Sequence, residues 1–96
     1  MSYRLPRYKV ALVREGCSYT RMKTINGPED VHGIIAAEYA DAVVETAMML
    51  ALDTKNKVIG IFEISRGSLN ASIIHPRDIF QRAILVNAAS VILVHN

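Results

Sequence analysis

The sequence has one cysteine, Cys17, no tryptophan and no large excess of charge of one sign among its 96 residues. A lone thiol excludes an internal disulfide, and no Cys/His spacing typical of a zinc finger is present. No apolar run approaches the roughly 20 residues that a membrane span needs, and nothing resembles a signal peptide. We therefore expect a cytoplasmic protein with no membrane segment, in which Cys17 is an inert, reduced residue.

The charge is nearly balanced, with 11 Lys and Arg against 9 Asp and Glu, for a net charge of +2. The basic residues are scattered, and only Arg4, Arg7 and Lys9 lie close together. This distribution lacks the basic stripe of a nucleic-acid-binding protein, so direct nucleic-acid binding is not expected. The length and the 51% hydrophobic content predict a single small domain over residues 1–96.

The first half of the chain predicts a hairpin and a helix. Residues 8–15 alternate as a strand, and residues 19–25 are a candidate hairpin partner across a Gly-Cys-Ser turn. Pro28, followed by acidic residues, is typical of the first turn of a helix. Residues 43–52 are ambiguous, because their Met, Ala and Leu favour a helix whereas the turn-like "LDTKNKV" that follows favours a strand.

The second half alternates strands with a helix. A strand is predicted for residues 58–65, a short extended piece for residues 68–74, a helix opened by Pro76, and a last strand over residues 90–95. This order predicts an α/β or α+β fold in which a mixed β-sheet is flanked by helices.

Glu63 is a candidate catalytic residue because it interrupts the apolar strand "VIGIFEIS". Both faces of that strand are apolar, which is typical of a central, covered strand. A carboxylate there is costly unless it is paired or serves a metal or a water molecule. The alternative is that Glu63 lies near a sheet edge and points to solvent.

His95 is a candidate metal ligand because it ends the apolar run "VILVH". Ligands gather at the ends of strands in such sheets, and imidazole is the commonest metal ligand. The alternative is a histidine with no role. His75 fits the N-cap region of the helix opened by Pro76, and His32 lies on a predicted helix surface without an assigned role.

The stretch "LDTKNKVIGIFEISRGSLNASIIHPRDIFQRAILVNAASVILVHN" resembles the RadC-type JAMM (MPN-plus) domain. The matching pieces are "LDTKN", "E-x-x-R-G-S-L-N", "HPRDIFQRA" and "NAASVILVHN", and a looser resemblance extends back to about Tyr8. The resemblance implies a sheet flanked by helices, akin to the cytidine-deaminase-like class.

The resemblance also implies a zinc site. Glu63 matches the catalytic glutamate of the family, and His95 matches its first zinc-ligating histidine. The second histidine, a serine and an aspartate of the family motif follow the position of Asn96, where this sequence ends. We expect the natural protein to continue past this point, so that residues 1–96 are a domain truncated at its C-terminal end. The alternative is a shortened relative without the chemistry.

Three functions follow as hypotheses. The first is a zinc-dependent hydrolase of the metallopeptidase or isopeptidase type, incomplete or inactive as the chain stands. The second is a non-catalytic MPN-type interaction module that binds a protein partner or forms a homo-oligomer. The third is a DNA-repair-associated accessory domain, which only the name of the family suggests.

Overall fold

The computed structural model describes residues 1–20, 24–40, 44–67 and 74–96. The three strands of the described part form one sheet in the spatial order β2-β1-β3, and both pairings are antiparallel. The predicted α+β class is therefore confirmed. The elements follow along the chain as α1 (Pro28–Tyr39), β1 (Thr46–Leu52), β2 (Val58–Arg66), α2 (Pro76–Leu85) and β3 (Ser90–His95).

The pairing of the strands differs in one respect from the expected mixed sheet, because no parallel pair occurs among the described strands. β2 and β3 do run in the same direction, since each is antiparallel to β1, and α2 connects them. The strand–helix–strand order suggested a mixed sheet covered by helices. In the structure the earlier strand β1 lies between β2 and β3 and separates them.

The ambiguous segment before the "LDTKN" turn forms the central strand β1, and every residue of β1 is buried. A strand covered on both faces is apolar throughout and loses the polar–apolar alternation that identifies a strand in a sequence. This double burial explains why the Met, Ala and Leu residues of β1 resembled a helix. Met49 and Leu50 are the largest fully buried side chains.

Two cores cover the two faces of β1. Leu50 and Met48 pack with Ile34 and Ile35 of α1 on one face, which we call the α1 face. Met49 and Ala51 pack with Ile79 of α2 on the other, the α2 face. The helices therefore lie on opposite sides of the sheet, and the register of each strand determines which core a side chain joins.

The turn between β1 and β2 is held by Asp53. Its Oδ1 accepts hydrogen bonds from the backbone N–H groups of Lys55 and Lys57, both at 2.9 Å. These bonds lower the pKa of Asp53 from its ordinary value, with the Lys57 N–H as the largest cause. Asn56 has a φ of 61°, a left-handed conformation that asparagine tolerates better than most residues. The turn fixes the β1–β2 register.

Both helices begin at the predicted prolines. α1 starts at Pro28, and Asp30 Oδ2 accepts a hydrogen bond of 2.8 Å from the backbone N–H of Asn26 just before the helix. α2 starts at Pro76 with His75 at its N-cap, as expected. No helix within the described ranges is long and apolar enough to cross a bilayer.

The predicted N-terminal strand is not formed. Residues 1–20 contain no helix or strand, and Tyr8, Val10 and Val13 are exposed. The alternation of residues 8–15 indicates a chain that can pair as a strand, but it does not specify a partner. Of the predicted hairpin partner, residues 21–23 lie outside the described part, as do residues 68–73 of the predicted extended piece.

The strand that contains Glu63 is also placed differently from the expectation. β2 is an outer strand of the described sheet, whereas its two apolar faces indicated a central strand. The central position belongs to β1. β2 is apolar on both faces because both cores extend onto it. Ile61 packs against the core on the α1 face, and Phe62 packs against the core on the α2 face. The alternative interpretation of Glu63, near an edge and exposed, matches this arrangement.

Candidate functional site

Glu63 and His95 lie at the same end of the sheet, on the two strands that flank β1. Glu63 is opposite Met48, and His95 is opposite the adjacent residue Ala47. Neighbouring strands are about 4.8 Å apart, so the backbones of β2 and β3 are separated by about 10 Å. Both side chains are exposed. The fold therefore brings the two candidate residues to one rim of the sheet.

The two side chains nevertheless belong to different faces. Residues opposite each other in an antiparallel pair point to the same side. Glu63 therefore shares the α1 face with Met48, and His95 shares the α2 face with Ala47. The register does not join the carboxylate and the imidazole in one cluster.

Glu63 has a partner on its own strand. Arg66 donates from Nε to Glu63 Oε1 at 2.8 Å, and its Nη2 lies 2.6 Å from the same oxygen. The register between β1 and β2 shifts just past Glu63, beyond the Met48 pair. A bulge of this kind bends the strand and redirects side chains. Because both partners are exposed, the ion pair contributes little stability, and its main effect is to orient the carboxylate.

His95 lies between two residues whose positions are fixed by hydrogen bonds. The Tyr39 hydroxyl is 2.8 Å from the carbonyl oxygen of Val94 and 3.1 Å from that of Thr46. On the other side, the Thr46 N–H donates to Asn96 Oδ1 at 2.8 Å, and the Asn96 side chain also donates to Val44 O. The end of β3 is therefore held against the start of β1.

The exposed imidazole of His95 has one backbone contact. His95 Nδ1 lies 3.3 Å from the carbonyl oxygen of Asn96. When Nδ1 carries the proton it donates to this oxygen, and Nε2 is left with its lone pair. A backbone partner on one ring nitrogen is the usual arrangement of a histidine that binds a metal through the other.

Reasoning from the sequence gave no role in the site to Tyr39, Arg66 or Asn96. Arg66 and Asn96 entered it only as parts of the motifs that carry the resemblance, and Tyr39 lies outside those motifs. Arg66 follows Glu63 by three residues, a spacing that does not join side chains in a regular strand. The bulge brings them together, and no signal in the sequence marks the bulge.

A catalytic zinc ion takes three protein ligands and leaves one position open. Glu63 and His95 are suitable donor types. Among the residues that the structure describes, no group of three or more His, Cys, Asp or Glu side chains is placed to hold a metal. These residues alone therefore do not form a zinc site. His32, His75 and Cys17 are exposed and lie outside such a group.

The fold and the rim define a class: an α+β domain with an antiparallel sheet between two helices, and with a glutamate and a histidine at one end of its outer strands. The sequence pattern of the RadC-like JAB domain matches residues 25–96. The chain belongs to the RadC-like JAB domain family.

Curated relatives agree with this assignment. The chain is 42% identical over 72 residues to a UPF0758 protein of Clostridium beijerinckii, covering 75% of this chain and 31% of the relative. It is 42% identical over 74 residues to a UPF0758 protein of Methanosarcina mazei, covering 77% and 32%. A UPF0758 protein of Desulforamulus reducens is 47% identical over 72 residues, covering 75% and 32%. The chain thus spans about a third of the length of these relatives.

Proposed function

We propose that the chain is part of a zinc-dependent hydrolase of the metallopeptidase or isopeptidase type, with His95 as a metal ligand and Glu63 as the catalytic carboxylate. The observation that carries the proposal is the exposure of both residues at one rim of the sheet, on the strands that flank β1. Membership of the RadC-like JAB domain family supports it.

The residues of this chain suit the parts assigned to them. Glu63 is accessible to a water molecule, and Arg66 holds its carboxylate in one orientation through Oε1, which leaves Oε2 to accept a proton. A carboxylate so placed can take the proton of an attacking water and pass it to the leaving amine. Tyr39 and Asn96 fix the backbone on either side of His95.

A bound zinc ion would supply a water of lowered pKa and would polarise the scissile carbonyl. Since the described residues offer only two donors, on different faces of the sheet, we assign the remaining ligands to the rest of the protein. The proposal therefore concerns the whole gene product and not residues 1–96 in isolation.

Cleavage of amide and isopeptide model substrates by the full-length gene product tests the proposal. Glu63→Gln keeps the shape of the side chain and removes the base, so zinc content should persist while turnover falls by at least about 100-fold. Glu45→Gln, an exposed glutamate beside β1, is the matched control and should keep full turnover. Equal turnover in Glu63→Gln and the wild type would contradict the assignment of Glu63.

A second candidate function is a non-catalytic interaction module, and one specific observation favours it. The register separates Glu63 and His95 onto different faces, so the described residues form no joint site. A full-length product that holds no zinc and cleaves no substrate, but that retains a specific protein partner, would select this function. A DNA-repair-associated accessory function remains a third hypothesis, which the net charge of +2 does little to support.

A further inference from the structure

Residues 8–15, which we call the N-terminal arm, have the sequence pattern of a strand but form none in the structure. Its large apolar residues are open to solvent: Tyr8 is 88% exposed, Val10 71% and Leu12 53%. A soluble protein rarely leaves so many apolar side chains of one short segment uncovered. The arm therefore requires a surface that is not provided by its own sheet in this structure.

The chain that follows the arm is held to its own domain at two points. Ser18 Oγ donates to the Glu38 carboxylate on α1, and Thr24 forms an antiparallel bridge with Lys57 just before β2. The molecule measures 61 × 34 × 23 Å with a radius of gyration of 15.9 Å. A compact chain of this length has a radius of gyration of about 13 Å, so the molecule is more extended than a compact domain, as an uncovered arm requires.

The outer edge of β2 is the surface that matches the arm. β2 has 9 residues, long enough for the eight of the arm, whereas β3 has 6. Apart from the Thr24–Lys57 bridge, no partner lies on this edge within the described ranges. An unpaired edge offers a row of backbone donors and acceptors to an extended segment.

One antiparallel register satisfies both charge and packing. With Lys9 opposite Glu63, opposite charges face each other across the pair, which is a favourable cross-strand contact. The same register puts Val13 opposite Ile59, a residue that is itself 41% exposed. It also brings three further pairs together: Ala11 with Ile61, Val10 with Phe62, and Leu12 with Gly60, which has no side chain.

We propose that the arm of one copy pairs with the outer edge of β2 in a second copy, so that two chains exchange arms reciprocally. The proposal does not rest on the zinc chemistry, but the two share Glu63, because Lys9 of the second copy would join Arg66 beside that carboxylate. Exchange is self-complementary, since each copy offers one arm and one edge, and it closes as a two-fold dimer. Strand addition to a sheet edge is a common mode of recognition, and it covers the apolar side chains that the single chain exposes.

Sedimentation equilibrium of the chain over a range of concentrations tests the exchange. The wild type should be a dimer, and Val10→Lys combined with Leu12→Lys should be a monomer with an unchanged far-UV circular dichroism spectrum. The matched control is Phe80→Lys combined with Ile84→Lys, which adds the same two charges at positions on α2 that are 62% and 73% exposed, and it should remain dimeric. A wild type that is monomeric at every concentration, or a double variant that stays dimeric, would overturn the proposal.

Disulfide trapping separates exchange from pairing within one chain. In a Cys17→Ser background, a chain with Val13→Cys is mixed with a chain that carries Ile59→Cys, and the mixture is oxidised. Exchange predicts a covalent heterodimer on a non-reducing gel, because the two thiols face each other only across the pair of chains. Absence of the heterodimer, with an internal disulfide in a single chain that carries both cysteines, would show that the arm returns to its own sheet.

Discussion

Replacing Tyr39 by phenylalanine tests how the end of β3 is held. The change removes one hydroxyl and keeps the ring, which packs against the α1-face core. In the native chain that hydroxyl lies 2.8 Å from Val94 O and 3.1 Å from Thr46 O. It has a single proton, so it makes one strong hydrogen bond, to Val94 O, and at most a shared second one.

The expected loss is the net worth of one partly buried hydrogen bond, about 1 kcal/mol. For a domain of this size a loss of 1 kcal/mol lowers the melting temperature by roughly 4–8 °C. Urea unfolding at one fixed protein concentration gives the free energy of unfolding directly, and the concentration is held fixed because association would shift the midpoint. Tyr19→Phe, an exposed tyrosine, is the control and should change stability by less than about 0.5 kcal/mol.

The pH dependence supplies an independent check. Burial raises the pKa of Tyr39 above its ordinary value of 10.0, so the fold favours the neutral phenol. That stabilisation is complete below pH 10.0 and is lost as the pH rises through the folded pKa. Tyr39→Phe should therefore lose less stability in alkali than the wild type. An unchanged urea midpoint in Tyr39→Phe, with identical alkaline profiles, would refute the assigned role of the hydroxyl.

Three further predictions concern the turn, the core and nucleic acid. The pKa of Asp53 is lowered from its ordinary value of 3.8, chiefly by the Lys57 N–H. The stability that the Asp53 carboxylate contributes is therefore present above pH 3.8 and disappears as the pH falls through the folded pKa. The urea midpoint of Asp53→Asn should fall less in acid than that of the wild type, and parallel profiles of the two proteins would contradict this. Leu50→Ala should cost about 2–5 kcal/mol in urea unfolding, because Leu50 is fully buried, whereas Leu5→Ala at an exposed position should be near neutral. Titration with duplex or single-stranded DNA should give no salt-dependent binding, since the net charge is only +2; affinity that falls steeply with salt would contradict this expectation.

The local signals in the sequence predicted the elements well. Pro28 and Pro76 each open a helix, and the last strand, Ser90–His95, falls where the apolar run ends. These signals depend on a few neighbouring residues, so they are readable without knowledge of the fold. The strand predicted for residues 58–65 likewise forms as Val58–Arg66.

These local signals could not predict the spatial order of the strands in the sheet. Whether β1 or β2 is central depends on which strands pair across the chain, and the apolar faces of β2 are compatible with either place. Residues 8–15 show the same limit, because alternation describes a strand and not its partner. The prediction of a single domain over residues 1–96 stays a prediction, while the family pattern covers residues 25–96.

The sequence predicted which residues are candidates for the site, but not how they are arranged relative to one another. Glu63 was noticed because it is a charged residue within an apolar strand, and His95 because it is a polar residue at the end of another apolar strand. Their separation onto two faces follows from the register of β1 with its neighbours and from the bulge past Glu63. The partners Arg66, Tyr39 and Asn96 depend on the same tertiary geometry.

The zinc content of the purified full-length gene product tests whether His95 is a metal ligand. We expect about one zinc ion per chain in the wild type and loss of most of the zinc in His95→Ala. The control variant His32→Ala, whose histidine lies exposed on α1, should hold as much zinc as the wild type. Stoichiometric zinc that survives in His95→Ala, or a wild type that holds none, would contradict the assignment of His95 as a metal ligand.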